Sequence, residues 1–115
     1  MYALIYHKML TVEKWNAYPK MQQILMISNE LNRAKNWILK NQNTETNLAY
    51  ERAFELIDLS LMDVKWESSR KELLRLKETL GELYCQSQKD IAKNNLCLQL
   101  LISFSSESYN LLNSR

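Results

Sequence analysis

Apolar residues return every three or four positions along most of this chain, a period that lines one side of a helix and does not alternate as a strand would. Ile24, Ile27, Leu31, Ala34 and Ile38 keep this step and predict a first long helix from Pro19 to Lys40. A proline fits the first turn, where its missing N–H has no partner to lose. The polar run Asn41-Gln42-Asn43-Thr44 reads as a turn. Ala49, Tyr50, Ala53, Phe54, Leu56, Ile57 and Leu61 then predict a second helix from Glu45 to Leu61, with Glu51, Glu55 and Asp58 on its opposite, solvated face. Met62–Ser68 is a connection.

Ser69 followed three positions later by Glu72 has the spacing of a capping box and starts the third helix. That helix carries Leu73, Leu76, Leu80, Leu83, Tyr84 and Ile91. Two ends are open to it. The preferred one is Ala92, before Lys93-Asn94-Asn95 interrupts the apolar stripe. The other is Gln86-Ser87-Gln88, with Ser87 and Asp90 as caps for the next helix. A last helix carries Cys97, Leu100, Leu101, Phe104 and Leu111 and frays near Asn113. Leu10, Val12, Trp15 and Tyr18 make residues 1–18 a short helix or an arm across the rest. The pattern predicts an all-α fold over residues 1–115, one domain: an antiparallel up-down four-helix bundle with a short N-terminal helix or arm.

Composition agrees, since the only glycine is Gly81 and the only proline Pro19, whereas sheets need frequent turn residues. Gly81 falls inside the third helix, where it costs about 1 kcal/mol relative to alanine, and is expected where another helix approaches closely. The net charge of +2 lacks the strongly basic footprint of nucleic-acid binders. Lys71, Arg75, Glu78, Glu82 and Lys89 form a mixed-sign outer face on the third helix. Two cysteines, Cys85 and Cys97, are too few for a disulfide scaffold and point to a reduced, cytoplasmic protein. The apolar opening Met1–Tyr6 stops at His7-Lys8, short of a signal-peptide core, and no run reaches the ~20 apolar residues of a membrane span.

No reactive constellation emerges. His7 is the only histidine and pairs with no glutamate at Glu-x-x-His spacing. The cysteines stand twelve apart, without a CxxC. The Arg–His signature of HEPN-type ribonucleases is absent because no histidine follows His7. Ser103, Ser105, Ser106 and Ser108 have no nucleophile elbow, and phosphate loops need glycines that are missing. No catalytic, cofactor-binding or metal residue is therefore expected, and no small-molecule substrate. An enzyme would need a cleft gathering residues such as Glu30, Tyr50 and Arg75.

Leu31-Asn32-Arg33-Ala34 and Tyr50-Glu51-Arg52-Ala53 share an Arg-Ala step on consecutive helices, which resembles the helix pairs of tetratricopeptide-like repeats over barely one repeat. The Trp, Leu-Gly and Tyr positions and the closing proline of that repeat are missing, so the resemblance carries no binding residue.

More informative is the apolar surface left over. Met26, Trp37, Leu48 and Leu59 lie off the main stripes, and Leu98, Ile102 and Tyr109 widen that of the last helix. Surplus apolar surface is what a partner-binding module presents. The expected function is a small non-catalytic bundle acting through protein–protein contacts and self-associating, as a homodimer or with another protein partner. Met26, Trp37, Leu48 and Leu59 are its candidate interface. An arm bearing Trp15 and Tyr18 would instead cover part of that surface. The alternative is a nucleic-acid-associated or ribonuclease-like protein of a small bacterial or phage system, resting on Lys20, Arg33, Lys35 and Lys40.

Overall fold

The three- and four-residue periodicity becomes helix almost throughout. A computed structural model describes the backbone of residues 6–113 and the side chains of residues 6–104. Its five α-helices are, in chain order, α1 Val12–Ala17, α2 Lys20–Leu39, α3 Asn43–Leu61, α4 Arg70–Cys85 and α5 Ile91–Asn113, with a 3₁₀ segment Val64–Ser69 before α4. No strand occurs among the described residues. The long helices pack in a cycle, α2 and α4 each against both α3 and α5, while α1 lies on α3. Ile27, Leu31, Leu56, Ile57, Leu73, Leu76, Leu80 and Leu101 are buried at the centre.

The polar turn after α2 is built on one left-handed residue. Asn41 takes a left-handed conformation, φ 57°, which asparagine tolerates better than most residues. Its N–H bonds to Ile38 O at 3.0 Å and that of Gln42 to Trp37 O at 2.9 Å, the paired bonds of a Schellman motif.

One capping expectation and one boundary are corrected, while the third helix does begin after Ser69 as expected. Ser69 precedes α4, but its side chain does not cap the helix. Its hydroxyl instead accepts from Lys20 Nζ at 3.2 Å. The third helix ends at Cys85, the less favoured of its two ends, and not at Ala92. Lys89 explains the stop. Its ammonium donates to Leu83 O and Tyr84 O, both at 2.8 Å, and to Gln86 O, satisfying carbonyls that a helix end leaves open. Lys89 is therefore buried and not part of a charged outer face. Asp90 Oδ1 then accepts from Lys93 N–H at 3.3 Å at the start of α5.

Gly81 is not a point of close helix approach, because a Cβ built there meets nothing within 4 Å. Gly81→Ala is accordingly expected to raise stability by roughly 0.5–1 kcal/mol, by reducing the freedom of the unfolded chain. An unchanged or lower thermal midpoint would contradict this.

Two buried amides stitch the helices. Gln23 is fully buried. It donates through Nε2 to Trp15 O at 2.7 Å and Asp63 Oδ2 at 2.8 Å, and its Oε1 accepts from Trp66 Nε1 at 2.7 Å. Trp15 Nε1 donates to Ser60 Oγ at 3.2 Å, which fastens α1 to α3. Asn94, also fully buried, accepts from the Tyr50 hydroxyl at 2.8 Å and donates to Leu31 O at 3.2 Å. It lies inside α5, so Lys93-Asn94-Asn95 does not interrupt the helix.

Candidate functional site

Two surfaces flank α2. The first is a groove between α2 and α5. Met21 and Leu25 stand one turn apart on α2, and Leu98 and Ile102 one turn apart on α5; such pairs share a helix face. Met21, Leu25 and Ile102 are 52%, 57% and 55% exposed. Among the described residues the lining contains no charged side chain, and Ile24, Ser28, Asn29 and Asn32 complete it. The sequence accounts for that neutrality: no charge occurs between Lys20 and Glu30, nor between Lys93 and Glu107.

Ser28 Oγ is buried on this seam without a hydrogen-bond partner among the described residues, and Asn95 Oδ1 of α5 is likewise buried and unpartnered among them. Asn95 precedes Leu98 by three positions and Ile102 by seven, which places it on the same face of α5. Leaving a buried polar atom unpaired costs about 1–3 kcal/mol, so an incoming surface that supplies partners here recovers that cost.

The second surface lies on the other flank of α2, where residues 6–10 cross towards α3. Tyr6, His7, Leu10, Tyr18 and Met26 line an open hollow there, with Lys8 and Lys14 at its edge. Beside it, Glu30 accepts from Arg52 Nε at 3.0 Å and from Arg33 Nη1 at 3.1 Å. His7 Nδ1 is 2.8 Å from Glu55 Oε1, and His7 Nε2 is 3.9 Å from Glu30 Oε2. The Tyr6 and His7 amides also donate to Glu55, at 2.9 and 3.1 Å. Glu51 accepts from the Tyr6 and Tyr84 hydroxyls.

This crowding sets the electrostatics. The Glu30 carboxylate beside it raises His7 above its ordinary value of 6.5; burial opposes the rise, and Glu55 adds to it. For Glu30 the burial would raise the carboxyl, but His7, Arg52 and Arg33 outweigh it and hold the group below 4.5. Glu51, Glu55 and Asp58 are thus no uniformly solvated ridge. Glu55 is buried under the N-terminal segment, and Asp58 pairs with Lys77 at 2.6 Å.

The residues singled out by sequence fare unequally. Leu59 is fully buried, which corrects its placement off the main stripe: α3 packs on α1, α2, α4 and the 3₁₀ segment, so its buried arc is wider than one neighbour requires. Met26 is partly buried against the core and lines the hollow beneath residues 6–10. The described part of the arm covers Met26 and not Trp37. Trp15 contacts α2 at Gln23, fourteen residues from Trp37 and about 21 Å away at 1.5 Å per residue. Trp37, partly buried, carries the Lys40 ammonium 5.2 Å from its ring centroid. Leu48 is partly buried. These four do not form one patch.

Glu30, Tyr50 and Arg75 do not share one cleft. Tyr50 bonds to Asn94 in the core, Glu30 to two arginines, and Arg75 is exposed. Cys85 and Cys97 are unpaired thiols, and burial pushes Cys97 up to about 11. Among the described residues no group of three or more His, Cys, Asp or Glu side chains is placed to hold a metal ion. No described helix is long and apolar enough to cross a membrane.

Sequence reasoning missed Met21 and Leu25, although the charge-free run from Met21 to Asn29 was a usable signal. It had no means of joining His7 to Glu55, 48 positions away. The class these features define is an all-α protein with an uncharged apolar groove. No protein-family model, curated protein or solved structure matches the chain.

Proposed function

We propose that this protein is a non-catalytic contact module that self-associates through the α2–α5 groove. The observation carrying the proposal is the neutral strip of Met21, Leu25, Leu98 and Ile102 with the unpaired Ser28 Oγ buried along it. A second copy is the occupant its chemistry favours. In a two-fold interface each patch meets itself, so a charged groove would face its own sign, whereas a neutral one meets no repulsion. Asparagine rims are self-complementary as well, because each amide both donates and accepts. Charge-poor centres rich in Met and large apolar groups are the usual composition of interface cores. The two thiols fit a reducing, cytoplasmic setting.

Three of the four basic residues behind the nucleic-acid alternative, Lys20, Arg33 and Lys40, turn onto separate partners. Lys20 stands 4.9 Å from the Trp66 ring centroid, Lys40 over Trp37, and Arg33 on Glu30. They offer no shared stripe to a phosphate backbone.

Light scattering over a concentration series tests the proposal. The unaltered chain is expected to be dimeric at tens of micromolar, as an order of magnitude for a modest interface. Leu25→Glu and Ile102→Glu each place like charges face to face and are expected to weaken the dimer at least ~10-fold, about 1.4 kcal/mol, with unchanged helical circular dichroism. Trp37→Glu is expected to leave the dimer intact. A monomer at high micromolar concentration, or a dimer indifferent to Leu25→Glu and Ile102→Glu, sinks the reading.

A further inference from the structure

The described polar ties from Tyr6 and His7 to α3 gather on Glu55 and Glu51, and we infer that residues 6–10 are a pH-dependent clasp, fastened while His7 is protonated and loosened when His7 is neutral, uncovering Met26. The geometry concentrates the attachment on one carboxylate. Glu55 takes the His7 ring nitrogen at 2.8 Å together with the amides of Tyr6 and His7 at 2.9 and 3.1 Å. Glu30, the second buried carboxylate beside the imidazole, acts across 3.9 Å as a charge and not as a closed hydrogen bond.

The surrounding charges fix the sign. From α2 the imidazole is faced by Glu30 and Arg33, and from α3 by Arg52 and Glu55. Tyr6 and, from α4, Tyr84 donate to Glu51. Lys8 and Lys14 stand at the outer edge of the hollow. Arg33 and Arg52 both turn onto Glu30, while the imidazole bonds to Glu55. Protonation turns that bond into an ion pair, and deprotonation leaves a neutral ring against two buried carboxylates.

The linkage then runs one way. A histidine held above its ordinary value stabilises the clasped state fully below pH 6.5 and ceases to do so as the pH rises through its folded-state value. Glu30 is held below 4.5 and stays ionised through this window. The clasp is thus firmest in mild acid and loosens towards neutral and alkaline pH. The His7 side of α2 and the α2–α5 groove adjoin at Asn29, which lines both.

Because His7 is the only histidine, nuclear magnetic resonance reads it without ambiguity. Its ring signals are expected to titrate with a midpoint above 6.5. Hydrogen-exchange protection of the Tyr6 and His7 amides, corrected for the intrinsic pH dependence, is expected to fall through the same midpoint. Each pH unit by which the midpoint exceeds the ordinary value corresponds to about a 10-fold loss. In His7→Gln the protection step between pH 6 and 8 is expected to vanish. Glu55→Gln, which keeps an acceptor and drops the charge, is expected to lower the His7 midpoint. A midpoint at or below 6.5 in the unaltered chain, or an equal protection step in His7→Gln, overturns the inference. Circular dichroism of both variants keeps loss of the clasp separate from loss of the fold.

Discussion

Gln23→Met is expected to lower the unfolding free energy by roughly 2–4 kcal/mol, a large share of the 5–15 kcal/mol that holds a typical domain together. The side chain is nearly volume-conserving, so the loss is one of hydrogen bonds and not of packing. Trp66 Nε1 would retain its N–H, buried, with its acceptor gone. Asp63 would lose the Nε2 donor and keep its Lys65 partners, the ammonium at 2.8 Å and the amide at 3.0 Å. Trp15 O would suffer least, because Tyr18 N–H still reaches it at 3.1 Å. The exposed neighbour Gln22 is the control, and Gln22→Met is expected to shift stability by less than about 0.5 kcal/mol. Urea unfolding at one fixed chain concentration measures both, since self-association would otherwise add to the apparent stability. A Gln23→Met loss under ~1 kcal/mol would mean that the amide contributes no more than an average hydrogen bond.

Gln23 also marks where pattern reading stops. Apolar periodicity locates a helix because the burial of oily side chains repeats with the helical turn, and Ile24, Ile27, Leu31 and Ala34 are all buried. A buried amide breaks that pattern while being as enclosed as its neighbours. Asn94 shows the cost: read as part of an interruption, it shifted the expected end of the third helix from Cys85 to Ala92. The stop itself depends on Lys89 folding back on carbonyls three to six residues earlier, a contact with no periodic signature. Leu59 failed for a different reason. A helical wheel assigns one buried side per helix, and α3 has neighbours on several sides.

The candidate surfaces were legible to unequal degrees. Leu98 and Ile102 stood out as widening the apolar side of α5, and half of the groove was therefore visible. Its other half required knowing that α2 packs on α5, which no local pattern encodes. The His7 cluster was invisible, because its members come from residues 6–7, 30–33 and 51–55 and meet only in the folded chain. Met26, expected as an interface anchor, is instead the floor beneath those residues.

Asn94 supplies the second large effect and links the core to the groove. Asn94→Leu is expected to cost roughly 2–3 kcal/mol, since the buried Tyr50 hydroxyl loses its acceptor. Tyr50→Phe alone is expected to cost about 1–2 kcal/mol by orphaning Asn94 Oδ1. Combined, the two changes remove donor and acceptor together, which is close to neutral when shape is kept. The double variant should therefore lie within about 1 kcal/mol of the unaltered chain, a coupling well beyond the ~0.5 kcal/mol tolerance of additive sites. Simple addition of the two losses would show that the pair does not act as a unit. The Asn94 bond to Leu31 O also sets α5 in register on α2, and that register brings Leu98 and Ile102 opposite Met21 and Leu25. An apolar core tolerates small slips that a buried hydrogen bond does not. The double variant is expected to regain stability while its dimer weakens, because a shifted α5 no longer presents the same strip. Full recovery of both would leave the buried pair without a part in shaping the groove.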